Sequence, residues 1–216
     1  TFIKSREMTS LSTGENGIPK GWTVVDYDMS EEPEDIPYVT FSADTVQIMT
    51  VVLNGNYVLD SSLQYSVGGG EWMQLTASTP ISFGGAEGDL RLRGQSTFGM
   101  AQSFVDLAKI TFGDNNVLVS VSGDIRTWVD YKVYDTVSTA NARFCRLFDG
   151  CTNLTSAPEL PATTLADSCY AGMFIGCTSL KYAPALPAAT LSELCYYGMF
   201  NGCTSLKYAP ALPATT

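Results

Sequence analysis

Between residues 36 and 135 apolar and polar residues alternate in short runs, the pattern of half-buried β-strands. The runs are Tyr38 to Ser42, Val46 to Leu53, Leu63 to Val67, Glu71 to Leu75, Leu90 to Arg93, Lys109 to Phe112, Val117 to Ser122 and Arg126 to Val133. Turn text separates them. Gly68-Gly69-Gly70 predicts a hairpin, Gly113-Asp114-Asn115-Asn116 a second one, and Asn54-Gly55 a tight turn. Short strands at roughly ten-residue spacing predict a β-sandwich over residues 36–142. Residues 1–35 read as an irregular acidic segment.

After residue 142 the alternation gives way to a repeat. CYAGMFIGCTSLKYAPALPAATLSEL at 169–194 returns as CYYGMFNGCTSLKYAPALPATT at 195–216. RFCRLFDGCTNLTSAPELPATTLADS at 143–168 is a looser copy, with Arg143 in place of the first cysteine. The period of 26 is fixed by Phe148, Phe174 and Phe200, by Cys151, Cys177 and Cys203, and by Leu154, Leu180 and Leu206. A unit this short cannot bury its apolar side alone and gains a core only by stacking, so the period predicts a solenoid of 26-residue coils, with units 143–168, 169–194 and 195–216. Met173, Phe174, Cys177, Leu180, Ala183, Leu186, Leu191 and Cys195 are expected to point inward. Pro184 and Pro187 keep the stretch 179–186 extended, and a short helical turn is expected over 191–200. The fold class is thus mainly β: an N-terminal β-sandwich followed by a solenoid.

The text MF-x-GC-T-S-L-x-x-A-P-x-L-P resembles the BspA-like leucine-rich repeats of surface proteins from anaerobic gut bacteria and of some of their phages' fibre proteins. The likeness covers about a third of the chain. It implies a leucine-rich-repeat solenoid used for adhesion or ligand display, with no catalytic residues to carry over. The hairpin Tyr65 to Trp72 is similar to those of Ig-like sandwich modules in bacterial surface and phage proteins.

Charge sharpens the boundary at 142. Residues 1–142 hold 18 acids and 8 bases, whereas residues 143–216 hold 4 of each, so the whole net charge of −10 lies before the repeats. An acidic chain does not invite nucleic acid. The densest run comprises Asp26, Asp28, Glu31, Glu32, Glu34 and Asp35. It reads as a solvated linker, with a calcium site as the sharper alternative, although the D-x-[DN]-x-[DN]-G spacing is missing. No apolar run is long enough to span a bilayer as a helix. The chain starts at Thr1 without the apolar core of a signal peptide, which suggests a removed leader or a piece of something longer.

Histidine is absent, which removes the commonest general base and the Ser-His and Cys-His nucleophile pairs. Ser96 in Gly94-Gln95-Ser96-Thr97-Phe98-Gly99 therefore lacks an activating partner. The glycines at 68–70 and 84–85 are not followed by the Lys-Ser/Thr of a phosphate loop. Glu71 and Asp124 are the acids near strands that could form a glycosidase pair. Asn153-Leu154-Thr155 spells a glycosylation sequon and reads as an ordinary turn. No cofactor is called for, and the expectation is a protein that is not an enzyme.

All six cysteines (Cys145, Cys151, Cys169, Cys177, Cys195, Cys203) fall in the repeats. Cysteines one period apart would sit about 4.8 Å from one another with parallel side chains, poor geometry for a disulfide. Buried free thiols are favoured. A bridge such as Cys169–Cys177 is the alternative, and a metal site is weakest because no C-x-x-C pair occurs.

Lys181-Tyr182 and Lys207-Tyr208 recur at the period, beside Leu180 and Ala183 on the inner side. A repeated outward Tyr-Lys stripe would suit sugar rings or a protein surface; stacking between coils is the plainer use. The functional expectation is a non-catalytic cell-surface or secreted adhesion module that binds glycan or protein. The alternative is a virion component, a fibre or decoration protein anchored by its amino-terminal segment, as a homotrimer or as part of a larger assembly. The last repeat leaves an apolar face to be covered by further repeats, a cap or a partner.

Overall fold

The computed structural model describes residues 2–4, 24–26 and 37–214, in two compact units, Thr1–Ile36 and Pro37–Thr216. In the first unit, β1 (Phe2–Lys4) pairs in parallel with β2 (Val24–Asp26), a short pair where the sequence suggests irregular chain. Asp26 ends β2. The rest of the acidic run, and the calcium reading with it, lies outside the described residues.

The second unit is mainly β before residue 123. Its strands are β3 (Val39–Ser42), β4 (Gln47–Asn54), β5 (Gln64–Val67), β6 (Met73–Gln74), β7 (Ile81–Phe83), β8 (Leu90–Arg93), β9 (Leu107–Phe112) and β10 (Ser120–Ser122). They form two antiparallel sheets, one in the order β10-β3-β8-β5-β6 and one in the order β7-β4-β9. Alternation explains the faces: in β3 and β8, Val39, Phe41, Leu90 and Leu92 are buried, and Arg91 and Thr40 pair on the opposite face. The sheets meet through Phe112, whose ring lies 6.4 Å from both Phe41 and Phe83.

Three expectations need correction here. Gly113 to Asn116 is not a hairpin: β9 and β10 belong to different sheets, and the turn crosses between them. Gln47 and Asn153 both donate to the carbonyls of Asp114 and Val117 and clamp that crossing. Residues 126–133 are not a strand. The Asp124 carboxylate accepts from the Arg126 N–H and the Asp124 carbonyl from Thr127, which starts the helical turn α1 (Thr127–Asp130) and buries Trp128 and Val129. Strand β7, three residues between Pro80 and Gly84, is too short to show as an alternating run.

Residues 143–214 contain neither helix nor strand among the described residues. Their backbone does something else. In the second repeat the N–H groups of Cys169, Ala171, Met173, Ile175 and Cys177 each bond the carbonyl three residues earlier, closing successive turns. The intervening N–H groups of Tyr170, Gly172, Phe174 and Gly176 each bond a carbonyl of the next repeat, at Cys195, Tyr197, Met199 and Asn201. The first repeat does the same from Phe144, Arg146, Phe148 and Gly150 to Cys169, Ala171, Met173 and Ile175. The helical turn expected over 191–200 is therefore a run of turns. The run needs a left-handed residue at every fourth position: Ser168, Gly172 and Gly176 have φ of 56°, 62° and 70°. Glycine takes that conformation at little cost. The expected strand around 179–186 does not form, because Pro184 and Pro187 offer no N–H and the inter-repeat bonds stop early: Ser179 donates to Thr152 at 3.1 Å and Lys181 to Thr155 only at 3.4 Å.

Side chains stack with the backbone. One column runs Phe41, Phe148, Phe174, Phe200 at 6.3, 5.6 and 5.7 Å; a second runs Trp128, Phe144, Tyr170, Tyr196 at 6.3, 6.2 and 6.0 Å. Each column starts on a sheet-side aromatic, so the composition boundary at 142 marks a change of architecture within one continuous core. The sheets also stand in for a preceding repeat, since Met100 and Ile110 donate to the carbonyls of Arg143 and Leu147.

Candidate functional site

The first repeat departs from the other two where it meets the sheets. Arg146 occupies the place of Gly172 and Gly198 and holds a left-handed φ of 54° that a side chain disfavours. Its guanidinium reaches Asp149 at 2.6 Å, and Asp149 also accepts from Lys109 of β9 at 3.0 Å. Burial pushes the Asp149 carboxyl up, but hydrogen bonds from Lys109 and Arg146 and their positive charges outweigh it and hold the group below its ordinary value. The Cys145 thiol donates to the Ser103 carbonyl at 3.1 Å. What reads as degeneracy is an adaptor surface.

The same logic explains where the Lys-Tyr stripe begins. Thr155 and Ser156 stand in the first repeat where Lys181-Tyr182 and Lys207-Tyr208 stand in the next two. Thr155 bonds the Val119 carbonyl through both N–H and hydroxyl, and the Ser156 hydroxyl bridges the N–H and carbonyl of Val121 in β10. Small hydroxyl residues fit a docked position, and long ones would not. From the second repeat onward the position is free. Tyr182 and Tyr208 are 64% and 76% exposed, and Lys181 and Lys207 are exposed beside them. The Lys207 N–H reaches the Lys181 carbonyl at 3.5 Å and sets the two pairs on adjacent repeats. Among the described residues neither tyrosine ring meets another ring, in contrast to the stacked Tyr170 and Tyr196.

Burial of the repeat positions falls off along the stack. Phe148, Cys151, Leu154, Phe174, Cys177 and Leu180 are buried, as is Cys203, whereas Phe200 and Leu206 are half-buried. Met173, Leu186 and Cys195 point inward as expected, and Ala183 is half-buried. Leu191 does not: it is 46% exposed, against 7% for its first-repeat counterpart Leu165, which has a following repeat to pack on.

All six cysteines are buried and unpaired. The thiols of Cys151, Cys177 and Cys203 donate to the carbonyls of Ile110, Phe148 and Phe174 at 3.2, 3.2 and 3.0 Å, one layer back in each case. Burial pushes the Cys145 thiol up to about 11, Cys151 and Cys169 to about 12, and Cys177 higher still. Burial thus favours the neutral thiol, which packs as a small apolar group and, at Cys151, Cys177 and Cys203, as a donor to the layer before.

The remaining sequence candidates are engaged elsewhere. Ser96 is buried, and its hydroxyl donates to the Gly99 carbonyl at 2.9 Å. Asp124 is paired with Arg126 at 2.7 Å, and Glu71 is exposed next to the hairpin turn at Gly68 to Gly70. The amide of Asn153 is buried and donates to Val117 at 2.6 Å, so the sequon is not presented. Among the described residues no helix is long and apolar enough to cross a membrane.

The sequence reading missed one cluster, on the outer face of the five-stranded sheet. Arg93, 2% exposed, lies between the rings of Trp72 and Tyr131 at 3.9 and 4.4 Å; Arg91 lies over Tyr38 at 4.8 Å. The Leu-Arg-Leu-Arg alternation of β8 is the signal that places both cations on one face. Arg93 is sealed by its rings, whereas the lysines and tyrosines of the repeats face solvent. No family model, curated protein or solved structure matches the chain.

Proposed function

We propose that the protein is a non-catalytic adhesion module, displayed at a cell surface or secreted, in which a β-sandwich closes one end of a leucine-rich-repeat-like solenoid. The ligand is a glycan or protein surface, gripped by the stripe Lys181, Tyr182, Lys207 and Tyr208. The carrying observation is that the two Lys-Tyr pairs are exposed on adjacent repeats, while the equivalent position of the first repeat is built to dock on β10. In-register backbone bonds between three repeats support the solenoid reading. A repeat of tyrosine faces and ammonium groups at one spacing suits a ligand with its own repeat, such as an oligosaccharide.

The test is a screen of the purified chain on a glycan array and on immobilised extracellular proteins, repeated with Tyr182→Ser/Tyr208→Ser. The double variant is expected to lose binding with a melting temperature changed by less than about 2 °C. A drop of many degrees would assign the tyrosines to stacking, and unchanged binding would move the site elsewhere. A stable trimer on sizing would favour the virion component instead.

A further inference from the structure

The cations at the join between sheets and repeats are neutralised, Lys109 and Arg146 by Asp149 and Arg126 by Asp124. Lys181 and Lys207 form no ion pair among the described residues. Lys181 is the only charged residue from 168 to 192, and Lys207 the only one from 194 to 216. The acids that flank these stretches, Asp167 and Glu193, stand about half a period away and are tied to each other, the Glu193 N–H donating to the Asp167 carboxylate at 3.2 Å. The first repeat has the opposite charge in the same segment: Thr155 to Glu159 holds an acid and no base, whereas Lys181 to Ala185 and Lys207 to Ala211 each hold a base and no acid. Tyr182 has a repeat on either side and still faces solvent, so its exposure belongs to the stripe itself.

We infer that the stripe takes an acidic polysaccharide, a chain with a carboxylate on each successive sugar, laid across the repeats so that one unit meets one layer. The inference rests on the reading of Lys181, Tyr182, Lys207 and Tyr208 as a binding stripe and names its ligand class. Each tyrosine ring covers the C–H face of a sugar, and each ammonium group meets that sugar's carboxylate. The second and third layers stand 5.7 to 6.0 Å apart at their stacked rings, an advance comparable with that of one sugar unit. A neutral glycan would leave both ammonium groups without a role. Lysine is a hydrated point charge on a flexible stem, so it selects the anionic group rather than one particular sugar. The net charge of −10 lies wholly before residue 143, and salt screens exposed charges more than about 8 Å apart at physiological ionic strength.

The full chain is titrated by calorimetry with octamers of galacturonate, mannuronate and guluronate, with their carboxyl-reduced forms as neutral probes and inorganic polyphosphate as a probe of charge alone. At least one acidic octamer is expected to bind about tenfold or more tightly than both its reduced form and polyphosphate, and to weaken as salt is raised. Lys181→Gln/Lys207→Gln is expected to lose that preference with a melting temperature changed by less than about 2 °C, and Lys181→Arg/Lys207→Arg to keep it. Equal binding of acidic and reduced octamers, a preference that survives the glutamines, polyphosphate bound as tightly, or no acidic octamer bound at ~1 mM would each overturn the inference. A neutral glycan or a protein bound in place of the acidic octamers, and lost with Tyr182→Ser/Tyr208→Ser, would overturn the ligand class and leave the stripe standing. Acidic octamers bound equally well after both the tyrosine and the lysine substitutions would overturn the stripe as well.

Discussion

The sheets and the repeats bury similar side chains by opposite means. In residues 37–122 most strands find partners far along the chain, as β3 does with β8 and β10, with the β5–β6 hairpin as the local exception, and no contact recurs. In residues 143–214 each position finds its own counterpart one repeat away, and the same contact recurs. A unique core is all or none. A stack is a sum of nearest-neighbour terms, and the outermost layer has one neighbour fewer.

The sharpest way to break that comparison is to make one truncation at two equivalent places. Phe174→Ala removes a ring stacked on both sides and is expected to cost about 3–5 kcal/mol, whereas Phe200→Ala, on a half-buried ring, is expected to cost less than about half of that. Urea denaturation of both variants measures it. Equal costs would mean that the third repeat is as closed as the second.

Thiol labelling probes the same gradient without mutation. Alkylation of the native chain is expected to reach Cys203 on the last repeat first and Cys177 in the middle about 100-fold more slowly, since outer layers open locally and inner ones only with the whole stack. A mass-spectrometric time course orders them. After denaturation without reductant all six should label, and fewer would restore a disulfide to the repeats.

The smallest effect sits at the join. Asp149 is held below its ordinary value in the folded protein, so its pairing stabilises the fold above a pH of about 4 and is lost as pH falls through the lowered folded value. Asp149→Asn is expected to cost about 1 kcal/mol near neutrality and progressively less in acid. Denaturation midpoints of both proteins from neutral to strongly acidic pH check this; a constant gap would place the contribution in packing rather than charge.

Most strands were legible because one-sided burial imposes a two-residue period, and β3, β4, β5 and β8 fall within a residue of their alternating runs. The repeat core was legible for a similar reason, since stacking identical layers demands identical residues at Phe148, Phe174 and Phe200. Local conformation in the repeats was not. Successive turns with alternate bonding have neither helical nor strand periodicity, and the one visible trace is the pair of glycines four apart, Gly172 with Gly176 and Gly198 with Gly202. That the Lys-Tyr pairs begin at Lys181 and Tyr182 is legible in the repeat text, but the reason is not: only the fold shows Thr155 and Ser156 docked on β10.

By itself, then, the sequence determined most of the inward positions of the strands and repeats and the 26-residue register, all of which are periodic and so survive without knowledge of partners. Tertiary structure alone decided that β9 and β10 lie in separate sheets, that Met100 and Ile110 serve as the layer before the first repeat, and that Arg146 and Asp149 form an adaptor. Those are contacts between residues unrelated by any period, and only the folded chain brings them within a hydrogen bond of each other.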